Sequence, residues 1–202
     1  MPAEPATPPT ATDIRCAVAA STAARIETAI REAAANAARQ LGGGTADVAV
    51  VFVSKGYGAA IRPAMEGLAD LIGTPTVIGT TAEAVLADTT EYESGPVVAV
   101  WLARLPGATV VPFALEYSQT PDGGMFVGWP AELDGGWPEA AAVVLLADPF
   151  SFPVDALIKR VEEDQPGVPI VGGMASGGYQ PGSNTLVVGS RTYDSGAVGF
   201  VI

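Results

Sequence analysis

The stretch GTPTVIGTTAEAVL at residues 73–86 and the stretch GVPIVGGMASGG at residues 167–178 share one plan, an apolar strand running into an elbow of small residues. Each leads to a Ser-Gly step and a further apolar strand, SGPVVAVWLA from Ser94 and SGAVGFVI from Ser195. The likeness extends backwards. VAVVFVSKGYG (residues 48–58) and AAVVLLADPFS (residues 141–151) each precede a helix-like segment that leads into an elbow, and the same 27-residue distance separates Val50 from Val77 and Val143 from Ile170. Apolar strands alternating with helical segments predict parallel βαβ units. The expected fold is α/β, with mixed sheets built from two similar βαβ-plus-hairpin halves, packed with helices and facing one site.

With 202 residues, 49% hydrophobic and only 16% charged, the chain has the composition of a globular domain. Its longest apolar run, residues 140–147, falls short of the ~18 residues that suggest a membrane span. Residues 1–12 are rich in Pro, Thr and Ala, and a disordered tail is expected there, with one domain over 13–202. Cys16 is the single cysteine, which excludes an intrachain disulfide and a multi-cysteine metal site and fits a reducing cytoplasm. A net charge of −12 with scattered basic residues argues against nucleic acid as a partner. The chain has no histidine, so it lacks the commonest general base and zinc ligand. No metal, cofactor or catalytic residue is expected.

Further elements follow from local signals. Residues 14–20 read as a strand, Ser21 or Thr22 as the cap of an Ala-rich helix to Leu41, and Gly42 to Gly44 as its exit. Residues 60–72 read as a helix, with Pro63 in its first turn. Residues 96–105 and 108–118 suggest an antiparallel hairpin about Pro106-Gly107, and residues 184–189 and 197–202 suggest another. Between them, residues 119–138 read as a long loop whose Met125, Phe126, Trp129 and Trp137 either cover a ligand, meet a partner or pin the loop to the core. Ile202 falls inside a strand. An exposed terminal strand of this kind predicts a covering segment, and hence a fragment of a longer protein.

The elbows carry the candidate chemistry. Gly173, Ser176 and Gly177 belong to a Gly-rich run able to turn backbone N–H groups toward an anion, although close packing of strand ends would also select small residues. The first elbow offers Thr80, Thr81 and Glu83 in the corresponding place. Lys55 and Asp148 follow the two equivalent strands, at the carboxyl ends where open α/β sheets place ligands. Ser176 lacks the G-x-S-x-G spacing and any histidine to activate it, so a serine nucleophile is not expected.

VVFVSKGYG, VIGTTAEAV, the E-x-E-S-G-P segment at residues 91–96, LARLPGA, LLADPFSFPVDAL and VPIVGGMASGG followed by GAVGF resemble the FIST N-terminal domain, in that order. The resemblance covers about residues 13–202. It implies an intracellular sensory module of a signal-transduction protein that binds a small ligand such as an amino acid, often beside a FIST C-terminal domain. Where the family usually carries a cysteine or serine in the first elbow, this chain has Gly79-Thr80-Thr81. The combined expectation is a cytoplasmic domain binding a small metabolite through Thr80, Thr81, Glu83, Asp148, Gly173, Ser176 and Gly177. The alternative is an interaction scaffold that docks a partner domain through its terminal strand and aromatic loop.

Overall fold

The run VAVVFVS is apolar at nearly every position because both of its faces are covered. The computed structural model describes residues 14–121 and 123–202. In chain order it contains β1 (Arg15–Ser21), α1 (Ile26–Gln40), β2 (Val48–Ser54), α2 (Ile61–Glu66), α3 (Leu68–Ile72), β3 (Thr76–Ala82), β4 (Val85–Ala87), β5 (Thr90–Tyr92), β6 (Val98–Arg104) and β7 (Val111–Thr120). There follow β8 (Gly123–Val127), β9 (Val143–Ala147), α4 (Val154–Asp164), β10 (Ile170–Met174), β11 (Leu186–Val188), β12 (Arg191–Tyr193) and β13 (Ala197–Val201). The expected tail at 1–12 lies outside the described residues.

Alternation along the strands builds four layers. On β2, Ala49, Val51 and Val53 face α1, α2 and α3, while Val48 and Val50 face the other sheet. On β9, Val143, Leu145 and Ala147 face α4, while Val144 and Leu146 meet Val198 and Phe200 of β13 between the sheets. The helices supply matching stripes: Ile26, Ala29, Ile30, Ala33 and Ala37 on α1, and Leu157 and Val161 on α4. Helices therefore cover the outer faces of two sheets that pack on each other.

The first sheet has the order β1-β6-β2-β3-β11-β12 and the second β10-β9-β13-β7-β8. Within them, β1-β6-β2-β3 and β7-β13-β9-β10 are the same arrangement, with one parallel pair and two antiparallel pairs. The duplication thus includes β1 and β7, beyond the βαβ core visible in the sequence. Its register also shifts the equivalences by one residue. Val77 faces Ala49, whereas Ile170 faces Val143, so Asp148 corresponds to Ser54 and not to Lys55.

Several local expectations are corrected. β6 lies between β1 and β2 with both edges used, so the chain crosses at Pro106-Gly107 and β7 pairs with β13 and β8 in the other sheet. Likewise β11 pairs with β3 and β12, not with β13. β13 sits between β9 and β7, so the terminal strand offers no free edge for docking. Residues 119–138 are not a plain loop, because β8 forms a hairpin with β7. Phe126 packs on Phe152, and Trp129 on both Phe113 and Trp137, at centroid distances of 5.2–5.4 Å, which pins this segment to the α4 side of the second sheet. Ser21 ends β1 and does not cap α1; its hydroxyl donates to the Glu32 carboxylate at 2.6 Å. The helix expected over 60–72 is divided at Gly67 into α2 and α3.

Candidate functional site

The carboxyl ends of β3 and β10 meet where the two repeats abut. The Ser176 N–H donates to the Thr81 carbonyl at 3.1 Å, and the Glu83 N–H donates to Ser176 Oγ at 3.0 Å. The elbows are therefore bonded to one another across the repeat boundary. Small residues are required by the backbone spacing: a Cβ on Gly79 would lie 2.7 Å from the Val51 carbonyl oxygen, and one on Gly172 would overlap that of Leu145. These two glycines occupy equivalent places in the repeats, each facing the neighbouring parallel strand.

Between the elbows lies a cavity of about 300 Å³, lined by Phe52, Thr80, Thr81, Val85 and Leu86 on one side and by Met174 and Ser176 on the other. Two hydroxyls remain able to serve a ligand. Thr80 Oγ1 has only a long 3.4 Å bond to the Thr81 carbonyl, and Ser176 Oγ accepts from Glu83 N–H while keeping its own proton to donate. Phe52, Leu86 and Met174 supply the apolar wall. Larger hollows exist: the one of about 770 Å³ lies between β8 and α4 and the one of about 510 Å³ between α1 and the β4–β5 hairpin, neither touching an elbow, while an apolar cleft of about 490 Å³ adjoins the elbow cavity through Phe52 and Leu86.

The structure brings Thr80, Thr81 and Ser176 together in the cavity and places the other expected residues around it. Thr81 is fully buried, and its Oγ1 accepts from Thr185 N–H at 3.1 Å. Glu83 is exposed at the rim, where its carboxylate accepts from Tyr179 at 2.9 Å; that bond, first, holds the tyrosine phenol above its ordinary pKa. Gly173 opens onto empty space. Gly177 packs on Lys55, a Cβ there lying 2.5 Å from Lys55 Cγ, and the Lys55 ammonium reaches the Ser183 carbonyl. Burial lowers the Lys55 pKa. The N–H groups of Ser176 and Gly178 are spent on Thr81 O and Asn184 Oδ1, so this Gly-rich run does not present them as an open anion nest.

Asp148 is fully buried and saturated. Its Oδ2 accepts from Phe150 N–H at 3.1 Å and Ser151 Oγ at 2.7 Å, and its Oδ1 from Asn184 Nδ2 at 3.0 Å. Ser151 Oγ in turn accepts from Gly196 N–H. In the first repeat Ser54 makes the corresponding tie alone, donating to Gly95 O and accepting from Val97 N–H, both at 2.8 Å.

The sequence pattern of the FIST N domain matches residues 47–202. The chain belongs to the FIST N domain family. FIST domains are sensory, signal-transduction domains. An uncharacterized protein of Mycobacterium tuberculosis (strain CDC 1551 / Oshkosh) is 33% identical over 186 residues, covering 92% of this chain and 47% of that protein. Another, of Mycobacterium bovis, is 31% identical over 168 residues, covering 83% of this chain and 42% of its own length. The chain thus spans about half the length of the curated relatives it matches, or somewhat less.

In this FIST N domain, sequence reasoning missed the cavity's apolar wall. Phe52 reads as an ordinary strand residue and Met174 as an unremarked member of the Gly-rich run, and nothing local distinguishes a side chain that faces a void from one that faces a neighbour. Ser54 carried a usable signal in the Ser-Gly step, since both repeats tie that step to the end of the preceding parallel strand. Among the described residues no helix is long and apolar enough to cross a membrane.

Proposed function

We propose that this FIST N domain senses a small metabolite by binding it, without chemical change, in the cavity between the elbows. The observation that carries the reading is that one cavity is walled by both repeats at the carboxyl ends of their strands, where open α/β sheets bind ligands. Its volume of about 300 Å³ sits at the lower limit of small-molecule pockets, which favours a compound of amino-acid size over a nucleotide. Thr80 and Ser176 would meet a carboxylate or carbonyl group, and Phe52, Leu86 and Met174 a short apolar body. No nucleophile–base pair is needed for that role. A cytoplasmic location and operation beside a FIST C-terminal domain belong to the same proposal; coverage of under half of each relative is consistent with one module among several. For the scaffold alternative, β13 is central and offers no free edge, while Phe126, Trp129 and Trp137 stand half-buried against the second sheet.

Thermal unfolding against a panel of amino acids and short monocarboxylates tests the proposal. A compound present at 100 times its Kd is expected to stabilise by about 2.7 kcal/mol, or roughly 5–10 °C in a domain of this size. Ser176→Trp, which fills the cavity, is expected to retain the fold and lose the response, and Thr80→Val to weaken it. A panel without any response, or a response unchanged by Ser176→Trp, would overturn the reading.

A further inference from the structure

The two repeats differ at one sheet edge. The outer edge of β3 is covered by the β11–β12 hairpin, which comes from the second repeat. The equivalent strand β10 ends its sheet, and among the described residues no strand lies along its outer edge. Yet the first repeat has its own copy of the covering hairpin. Val85, Leu86 and Ala87 pair with Tyr92, Glu91 and Thr90 just as Leu186, Val187 and Val188 pair with Tyr193, Thr192 and Arg191. Both hairpins turn through a left-handed residue at the same place, Asp88 at φ 54° and Gly189 at φ 60°. The β4–β5 hairpin nevertheless forms a separate two-stranded sheet, resting on Ala82, Val97 and Ala99 through Val85 and Ala87.

The side chains are patterned for a covered edge. Leu86 is 70% exposed, whereas its counterpart Val187 is fully buried. Val171 and Met174 on β10 are 58% and 42% exposed, whereas their counterparts Ile78 and Thr81 are fully buried. Leu86 shares the elbow cavity with Met174 and an adjoining apolar cleft with Val171, so the two bare surfaces already stand across a gap from each other. An apolar edge with unused backbone groups is a template for strand addition.

The backbone gives the register. Val143 N–H bonds to Pro169 O and Ala175 N–H to Ala147 O, so alternation turns the polar groups of Ile170, Gly172 and Met174 outward. On β3 the corresponding outward groups are used: Thr81 N–H donates to Thr185 O at 3.0 Å, and Val77 O accepts from Gly189 N–H at 2.8 Å. Transferred to the other repeat, these bonds become Met174 N–H to Ala84 O and Asp88 N–H to Ile170 O. They set Val85 opposite Gly173, Leu86 opposite Gly172 and Ala87 opposite Val171. The link Glu83-Ala84 is short, but its three Cα steps reach about 10 Å from an elbow already bonded to Ser176.

We infer that the β4–β5 hairpin is a strap that adds antiparallel to β10 and shuts the mouth of the elbow cavity. The inference rests on the repeat geometry alone, so it stands or falls separately from the ligand reading. In a Cys16→Ser background, Ala87→Cys with Val171→Cys places the thiols on facing positions, where Cα atoms lie about 4.5–5.5 Å apart, within disulfide range. Ala87→Cys with Gly173→Cys is two residues out of register. Under mild oxidation the first pair is expected to close within one molecule at least about tenfold faster than the second, with circular dichroism confirming both folds. In the wild-type chain, the amides of Gly172 and Met174 are expected to exchange at least about tenfold more slowly than unprotected ones. Equal closure rates, disulfide-linked dimers, or unprotected exchange at both amides would overturn the strap; dimers would assign the edge to a second copy.

Discussion

Gly172→Ala is expected to abolish folding, or to cost more than about 4 kcal/mol, as the worst backbone clashes do. Gly172 has φ 153°, a conformation that L side chains rarely adopt, and a Cβ there would overlap the carbonyl oxygen of Leu145 on the parallel strand β9. Neither problem can be relieved without parting β10 from β9. The equivalent Gly79→Ala meets Val51 O at 2.7 Å without the positive φ, and a smaller loss of about 1–3 kcal/mol is expected. Gly173→Ala, one residue along, opens onto empty space and should change stability by less than about 0.5 kcal/mol. Urea midpoints read by circular dichroism rank the three. A Gly172→Ala protein as stable as Gly173→Ala would contradict the close approach of the strands.

Asp148→Ala is expected to destabilise by roughly 3–5 kcal/mol, because it leaves the buried Asn184 amide and the part-buried Phe150 N–H and Ser151 hydroxyl without their acceptor. In a domain of this size the unfolding midpoint should fall by roughly 10 °C. Ser54→Ala, its counterpart, removes one hydroxyl that makes two bonds and should cost about 1–2 kcal/mol. The comparison separates two roles for Asp148. If it were a ligand group held in reserve, its loss would spare the midpoint and remove a ligand response. A tie that fastens the second repeat's elbow and hairpin to the end of β9 loses stability first.

The repeat was legible because strand alternation and the Gly-rich elbows leave a mark in every copy, and the strand-to-strand distance changes by only one residue, from Ala49–Val77 in the first copy to Val143–Ile170 in the second. Its register was not, because one residue of slippage at Ala49 against Val143 leaves all the apolar letters in place while moving Asp148 onto Ser54. The crossing of β7 and of the β11–β12 hairpin to other sheets was also hidden. A Pro-Gly turn between two strands is as compatible with a crossover between sheets as with a hairpin, and only the occupied edges of β6 decide. At the site, Thr80, Thr81 and Ser176 could be named from the elbows, since the elbows meet. Asp148 and Gly177 could be named only as lying nearby: their packing and bonding depend on Asn184, Ser151 and Lys55, which no local pattern joins to them.

The central claim, that the elbow cavity is the sensing site, is tested most directly by mapping backbone amide shifts while the protein is titrated with the compound that raises its unfolding midpoint most. The largest shifts are predicted at Thr80, Thr81, Ala82, Met174 and Ser176, and Ser176→Trp should remove them. Shifts concentrated instead along Tyr117, Trp129 and Arg160, in the groove between β8 and α4, would contradict it.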